Sequence, residues 1–378
     1  MQNKKLKILA DENMPMAREI FSRFGEVILR PGREIGAADL VGIDALLVRS
    51  VTRVDQALLA DSPVQFVGTA TIGTDHVDQA YLAQRKICFS NAPGCNADAV
   101  VEYVLSCIFL LAAQQGFNPA ERVYGIIGVG NVGGRLQRRL QALGYKVLLN
   151  DPPRAEQESG FVELDSLLQQ ADIICAHTPL TRSGKHPSYH LLGSEQLGRL
   201  RENAILLNAG RGPVIDNTAL LQIGRQRSDL TFVLDVWEHE PAVDPALAQR
   251  CAIVSPHIAG YSLDGKIRGT YMLYQALCRH LGEACGESLN DFLPEAELAW
   301  TPEEGRSPLE IMQLIYDPRE DDRLLRETLN LPLDAQKKAF DQLRKGYRVR
   351  REFAALEVAD SRQPELLKGL GFRLAERD

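Results

Sequence analysis

The stretch VYGIIGVGNVGGRLQRRLQALGYKVLLNDPP, residues 123–153, decides how the rest of the chain is read. An aliphatic run, Tyr124–Ile127, leads straight into Gly128, Gly130 and Gly133, which open an amphipathic segment; a second aliphatic run then ends on Asp151. Strand, glycine turn, helix, strand and acid follow one another in the order that a dinucleotide site requires. Gly128 permits the tight turn, Gly130 lets the backbone approach a pyrophosphate, and Gly133 lets the helix pack close to the strand. Asn131 and Val132 begin the helix, where free N–H groups and the positive end of the dipole meet the phosphates. Asp151 is placed to accept from both ribose hydroxyls and to repel a 2′-phosphate, so NAD is expected in preference to NADP. Arg135 and Arg154 lie near enough to weaken that preference.

Working outward, short aliphatic runs recur on both sides. Upstream they fall at Lys7–Ala10, Val27–Leu29, Ala45–Val48, Phe66–Gly68 and Ile87–Ser90. After a helical stretch at Ala99–Gln115 they resume at Tyr124–Ile127, Lys146–Leu149, Asp172–Ala176, Ala204–Leu207, Thr231–Leu234 and Ala252–Ser255. Each is followed by helix-compatible sequence or a turn, the rhythm of a doubly wound parallel sheet, and two such series in tandem predict two α/β domains. From about Asn290 the texture becomes rich in Pro, Glu and Arg. Helical segments near Leu309–Ile315 and Ala335–Arg344, alternation in Arg351–Val358 and a last run at Phe372–Ala375 predict a small third α/β domain.

A chain of 378 residues is longer than one core usually grows. With 45% hydrophobic and 25% charged residues and a net charge of −7, it offers no field for a polyanion, so no nucleic acid is expected, though a local basic pocket for one phosphate is compatible with that charge. The seven cysteines are scattered, odd in number and never spaced C-x-x-C, which points to reduced structural thiols and to no metal site. The apolar run Ala99–Ala113 carries Glu102 and Ser106 and is too short to span a bilayer, so a buried helix and no membrane are expected. The opening MQNKKLKILADEN lacks an apolar stretch long enough for export, and a cytoplasmic protein is expected.

Polar residues at the carboxyl ends of parallel strands face the ligand crevice. Thr178, in His177-Thr178-Pro179-Leu180, is therefore a candidate cofactor contact. Three later strand ends carry candidate chemistry: LLNAGRGPVID with Arg211, VLDVWEHEP with Asp235 and Glu240, and VSPHIAGYS with His257. Oxidising an alcohol to a ketone needs a base for the hydroxyl proton as the hydride leaves, and a histidine suits that task near neutral pH. A neighbouring Glu240 would orient the ring and favour the imidazolium, while Arg211 could grip a carboxylate or polarise a developing oxyanion.

Arginine, acid and histidine in this order, after this fingerprint, resemble the D-2-hydroxyacid dehydrogenase family. KILADENMP, VRSVTRV, GTATIGTDHVD, NAPGCNADAVVEY and HIAGYSLDGKIRGT resemble in particular a branch acting on a phosphorylated substrate. The resemblance implies Arg211, Glu240 and His257 as catalytic residues and hydride transfer between NAD and carbon 2 of a small phosphorylated 2-hydroxy acid. It places Asp235 near the nicotinamide carboxamide, Gly260, Ala209 and Gly210 against the cofactor with Arg211, and Ser50, Thr71 and Tyr261 at the substrate, the first two facing the cleft from the first domain. It also implies a flavodoxin-like substrate domain (1–98 with 269–289), a Rossmann NAD domain (99–268) and a C-terminal domain (290–378) that makes the enzyme a homodimer. The loop Thr69–Thr74 could aim backbone N–H groups at a carboxylate. For the phosphate the candidates are Arg49, Lys266, Arg268 and Tyr261, with the basic GYRVRREF stretch behind them. Another phosphorylated substrate, such as 3-phosphoglycerate, and a non-catalytic NAD-sensing scaffold remain the alternatives.

Overall fold

The computed structural model describes residues 5–300, 306–359 and 362–375. The chain divides into two compact units, Met1–Asn96 with Ser262–Glu295, and Ala97–Tyr261 with Ala296–Asp378.

The first unit is built on five parallel strands, β1 (Leu6–Asp11), β2 (Gly25–Arg30), β3 (Ala45–Val48), β4 (Phe66–Thr69) and β5 (Cys88–Asn91), in the order β2-β1-β3-β4-β5. This is the flavodoxin-like order, and its reversal between β1 and β3 is where such sheets open a crevice. Strands β1, β3 and β4 are buried almost end to end, so they read as continuous aliphatic runs, not as alternation. One face packs on the helix Leu263–Leu281, through Leu273, Tyr274 and Leu277.

The boundary expected at 268/269 falls inside that helix, and the chain in fact crosses back at Ser262. The reason is local: Ser262 is the N-cap, its Oγ accepting from Gly265 N at 2.9 Å, and Gly282 in the left-handed region ends the same uninterrupted rod.

The second unit holds six parallel strands, β6 (Val123–Ile127), β7 (Lys146–Asn150), β8 (Ile173–Ala176), β9 (Ile205–Asn208), β10 (Thr231–Leu234) and β11 (Ile253–Val254), ordered β11-β10-β9-β8-β6-β7. The switch point lies between β6 and β8, beside the glycine turn. The helix Ala97–Gln115 is long and apolar enough to cross a membrane, but 78% of its apolar window is buried in protein.

The C-terminal region adds a small parallel sheet, β12 (Glu297–Trp300), β13 (Leu356–Val358) and β14 (Arg373–Leu374), in that order. Its helices are Pro308–Ile315, Pro318–Thr328, Leu333–Lys345 and Pro364–Leu370. The second of these, rich in Asp, Glu and Arg, was not expected from the sequence. The region does not keep a core to itself: Ile311, Met312, Tyr316, Phe353 and Leu370 join one apolar cluster with Val101, Tyr103, Ile108 and Leu136. Polar groups tie it further. Phe353 N donates to Glu102 Oε1 at 2.8 Å, and Arg350 donates to Ala99 O at 2.7 Å and Ala259 O at 3.2 Å. The C-terminal region, expected as a third domain from residue 290, groups with the second unit, its apolar residues packing on the helix Ala97–Gln115.

Candidate active site

The glycine turn is built as its sequence requires. Gly128 takes φ +85°, and a Cβ there would sit 2.8 Å from Thr178 N and Thr178 Cγ2. A Cβ on Gly133 would overlap the carbonyl oxygen of Gly128, whereas one on Gly130 would meet nothing within 4 Å. The turn is therefore closed towards the protein and open where a phosphate would approach. Asn131 starts the helix Asn131–Ala142 with Gly130 as its N-cap. At the end of β8, Thr178 Oγ1 and both ring nitrogens of His177 are buried without a hydrogen-bond partner among the described residues. Burial carries the His177 pKa down to about 4, so the ring is neutral. Unspent polar groups and a glycine cradle at a helix N-terminus fit a dinucleotide.

Asp151 directly follows β7 and accepts from Val129 N at 2.8 Å and Arg154 N at 3.3 Å, which fixes its carboxylate beside the turn and leaves lone pairs for ribose hydroxyls. The two arginines that clouded the choice of cofactor are both engaged. Arg154 donates to Val129 O at 2.7 Å and pairs with Glu158, and Arg135 pairs with Asp98 at 2.8 Å.

The ends of β9, β10 and β11 carry the catalytic candidates. Asn208 braces the first loop: its amide donates to Arg211 O at 3.0 Å, and its Oδ1 accepts from Gly210 N at 3.0 Å. Arg211 Nη1 donates to Gly210 O at 2.9 Å, within its own loop. Gly212 is required next, because any Cβ there would overlap the carbonyl of Trp237. That close approach puts the Arg211 loop beside the loop bearing Glu240.

Glu240 Oε1 accepts from Trp237 N at 2.8 Å, and Oε2 meets His257 Nδ1 at 2.7 Å. Burial pushes the Glu240 pKa up, but the hydrogen bond and charge of His257, the Trp237 N–H and the charge of Arg344 together bring it below the ordinary carboxylate range. A carboxylate here only accepts, so Nδ1 carries a proton and Nε2 is left for the substrate. His257 takes φ 57°, in the left-handed region, a strain that a packed surrounding must hold.

That surrounding is Asp235. Only 1% exposed, it accepts from Ser255 Oγ at 2.7 Å, Ile258 N at 2.8 Å and Ala259 N at 3.1 Å, while its carbonyl accepts from His257 N at 2.7 Å. Ser255 is in turn bonded to Tyr103 at 2.8 Å. Burial raises the Asp235 pKa, opposed by the charge of His257 and these donors. The resemblance puts Asp235 at the nicotinamide, and in the structure its carboxylate also anchors the histidine loop. Trp237, Gly212, Ser255 and Tyr103 were not singled out from the sequence. Only Gly212, between Arg211 and Pro213, carried a signal there.

The remaining candidates are distributed as follows. Tyr261 stands in the second unit with its N–H on Ile258 O at 2.8 Å. Ser50 and Thr71 belong to the first unit, at the ends of β3 and β4. Thr71 Oγ1 donates to Gly73 O at 2.8 Å, so its hydroxyl keeps only acceptor capacity. Of the phosphate candidates, Arg268 is spent on Cys95 O at 2.6 Å and Arg49 donates to Asn13 O at 2.9 Å. Burial, helped by the charge of Arg49, lowers the Lys266 pKa.

Three comparisons bear on this arrangement. Residues 111–259 match the family model for the NAD binding domain of D-isomer specific 2-hydroxyacid dehydrogenases, and residues 293–371 match a domain of unknown function. The fold is shared with an NAD-bound 3-phosphoglycerate dehydrogenase from Entamoeba histolytica (TM-score 0.61, 23% identity, 74% of this chain and 96% of that one). It is shared also with a D-lactate dehydrogenase from Aquifex aeolicus complexed with NAD and lactic acid (TM-score 0.55, 21% identity, 73% and 95%). Fold and site thus define an NAD-dependent 2-hydroxyacid dehydrogenase. Erythronate-4-phosphate dehydrogenases are similar over nearly the whole length: that of Pseudomonas putida is 51% identical over 93% of this chain and 94% of its own, and that of Azotobacter vinelandii 50% over 97% and 99%. The chain belongs to the erythronate-4-phosphate dehydrogenase family, within the D-isomer specific 2-hydroxyacid dehydrogenases.

Proposed function

We propose that this chain oxidises carbon 2 of 4-phospho-D-erythronate to give 2-oxo-3-hydroxy-4-phosphobutanoate. The observation that carries the reading is the 2.7 Å contact of His257 Nδ1 with Glu240, placed at a strand end of an NAD-binding sheet in a chain half identical to enzymes so named. When bound, NAD accepts the hydride from carbon 2. His257 Nε2 takes the proton of the 2-hydroxyl, Glu240 holds the ring and balances the imidazolium, and Arg211 grips the carboxylate and steadies the oxygen as the carbonyl forms. Asp235 keeps the histidine loop in its strained conformation. Gly128, Gly130, Asn131, Val132, Gly133, Asp151, Thr178, Ala209, Gly210, Arg211, Asp235 and Gly260 hold the cofactor; Ser50, Thr71 and Tyr261 meet the substrate. The product is a phosphorylated 2-oxo acid of the route to pyridoxal phosphate, made in the cytoplasm.

The domain assignment is read the same way: a substrate domain formed by the first unit, a Rossmann domain, and a C-terminal region that pairs two subunits about a two-fold axis. Exposed Leu314, Leu331, Leu333 and Val349, all in that region, support the pairing. Light scattering should give twice the mass of one chain; a monomer at micromolar concentration would count against it. The decisive assay compares 4-phosphoerythronate, 3-phosphoglycerate and unphosphorylated erythronate as hydride donors by NADH absorbance. The first should be preferred, and a preference for 3-phosphoglycerate would replace this reading.

A further inference from the structure

Residues 293–371 match a family model of unknown function, yet this region reaches the loop that follows His257. The helix Leu333–Lys345 brings Arg344 to 5.9 Å from the ring centre of Tyr261. Tyr347, three residues on, packs edge-on against the same ring at 5.5 Å and 88°. Arg350 donates to Ala259 O. One C-terminal segment therefore backs residues 259 and 261, next to His257.

Its other members hold partners through most of their polar groups, although Arg350 Nε, like Arg344 Nε, is buried without an acceptor among the described residues. Arg350 also holds Ala99 O, Tyr347 donates to Asp321 Oδ2 at 2.9 Å, and Arg348 pairs with Glu320 and Asp321. Arg344 differs. Among the described residues its guanidinium forms no hydrogen bond and no ion pair, whereas that of Arg350 is held by two carbonyls. Glu240 is near enough for its carboxyl to be held down in part by the Arg344 charge, but both Glu240 oxygens are already taken, by Trp237 N and His257 Nδ1. A guanidinium beside Glu240 and His257, with its fork unspent, matches two oxygens of a phosphate or carboxylate. The substrate carboxylate lies on the reacting carbon, where Arg211 stands, whereas the phosphate lies two carbons beyond it.

We propose that Arg344 is a specificity-determining residue that receives the substrate phosphate, so that the C-terminal region completes the active site of its own chain. This rests on the 4-phosphoerythronate reading above, and it gives the region of unknown function a part in substrate choice.

The test uses the full-length enzyme with Arg344→Ala and Arg344→Lys, each assayed for oxidation of 4-phosphoerythronate and of erythronate, with thermal unfolding as the check on folding. Arg344→Ala should raise KM for the phosphorylated donor by about tenfold or more and leave erythronate within about threefold, and Arg344→Lys should recover part of the loss. Inorganic phosphate should raise the melting temperature of the wild type and not of Arg344→Ala, a readout independent of turnover. Equal losses on both donors, with a displaced pH–rate profile, would overturn the proposal and make Arg344 a positioning residue acting through Glu240. An unchanged phosphate-induced shift in a folded Arg344→Ala would overturn it as well. A wild type that binds phosphate through Arg344 but ignores 4-phosphoerythronate would instead overturn the functional reading.

Discussion

At the scale of single residues, chemistry is concentrated in one hydrogen bond. His257→Asn removes the proton acceptor while leaving the cradle untouched, so turnover should fall by about a hundredfold or more with NADH binding retained, as measured by fluorescence titration. Glu240→Gln removes the charged acceptor that holds His257 Nδ1, so kcat should fall by about tenfold or more with NADH binding retained; an unchanged kcat would dissociate Glu240 from His257. A second histidine sets a pH dependence of stability. His177 has its folded-state pKa lowered by burial from 6.5 to about 4. Above pH 6.5 both folded and unfolded chains hold it neutral, and nothing is lost. As pH falls from 6.5 towards 4 only the unfolded chain takes up the proton, so stability drains away over that window, by up to about 3 kcal/mol. Denaturant unfolding at pH 7 and pH 4.5 should show this loss in the wild type and a smaller one in His177→Gln.

Elements matter here mainly through their ends. The three catalytic candidates lie beyond the carboxyl ends of β9, β10 and β11, and the neighbouring parallel strands bring their loops side by side. Gly212 is the point at which two of the loops touch, because only a missing Cβ admits the Trp237 carbonyl. Gly212→Ala should push the Arg211 and Glu240 loops apart and lower kcat/KM by about a hundredfold, since displacement of about 1 Å costs that much, while NAD affinity changes less. Steady-state kinetics with a parallel NADH titration would separate the two effects. The strands themselves were legible because buried parallel strands appear as short aliphatic runs; all eleven of the two large sheets fall where such runs occur. The helix Pro318–Thr328 was not, because its sequence, PREDDRLLRET, shows few apolar residues and is anchored instead by Leu325 and the buried Asp321.

On the scale of the whole molecule, the second unit is stitched together by a buried charged network. Arg350 is 2% exposed and satisfies carbonyls on two separate segments, next to Glu102, whose pKa burial raises strongly, with the Glu352 charge adding to it and the Arg350 charge opposing it. Removing one member of such a set leaves the others uncompensated. Arg350→Met should therefore destabilise the chain by roughly 3–5 kcal/mol, seen as a fall in denaturation midpoint, and should disturb the 259–261 loop although residue 350 is remote from it in sequence. A variant as stable as the wild type would show the network to be dispensable. By itself the sequence determined what repeats locally or sits at fixed spacing, the strands and the glycine turn with Asp151, and its resemblance to a family named Arg211, Glu240 and His257 as candidates. Tertiary structure alone decided which groups meet. It turned Asp235 inward to the histidine loop, spent Arg154 on Val129 O and Arg268 on Cys95 O, and set Arg344 beside Tyr261. Such pairings join residues from separate segments, and they follow from how buried surfaces close on one another and which polar groups remain to be satisfied, neither of which leaves a local period in the chain.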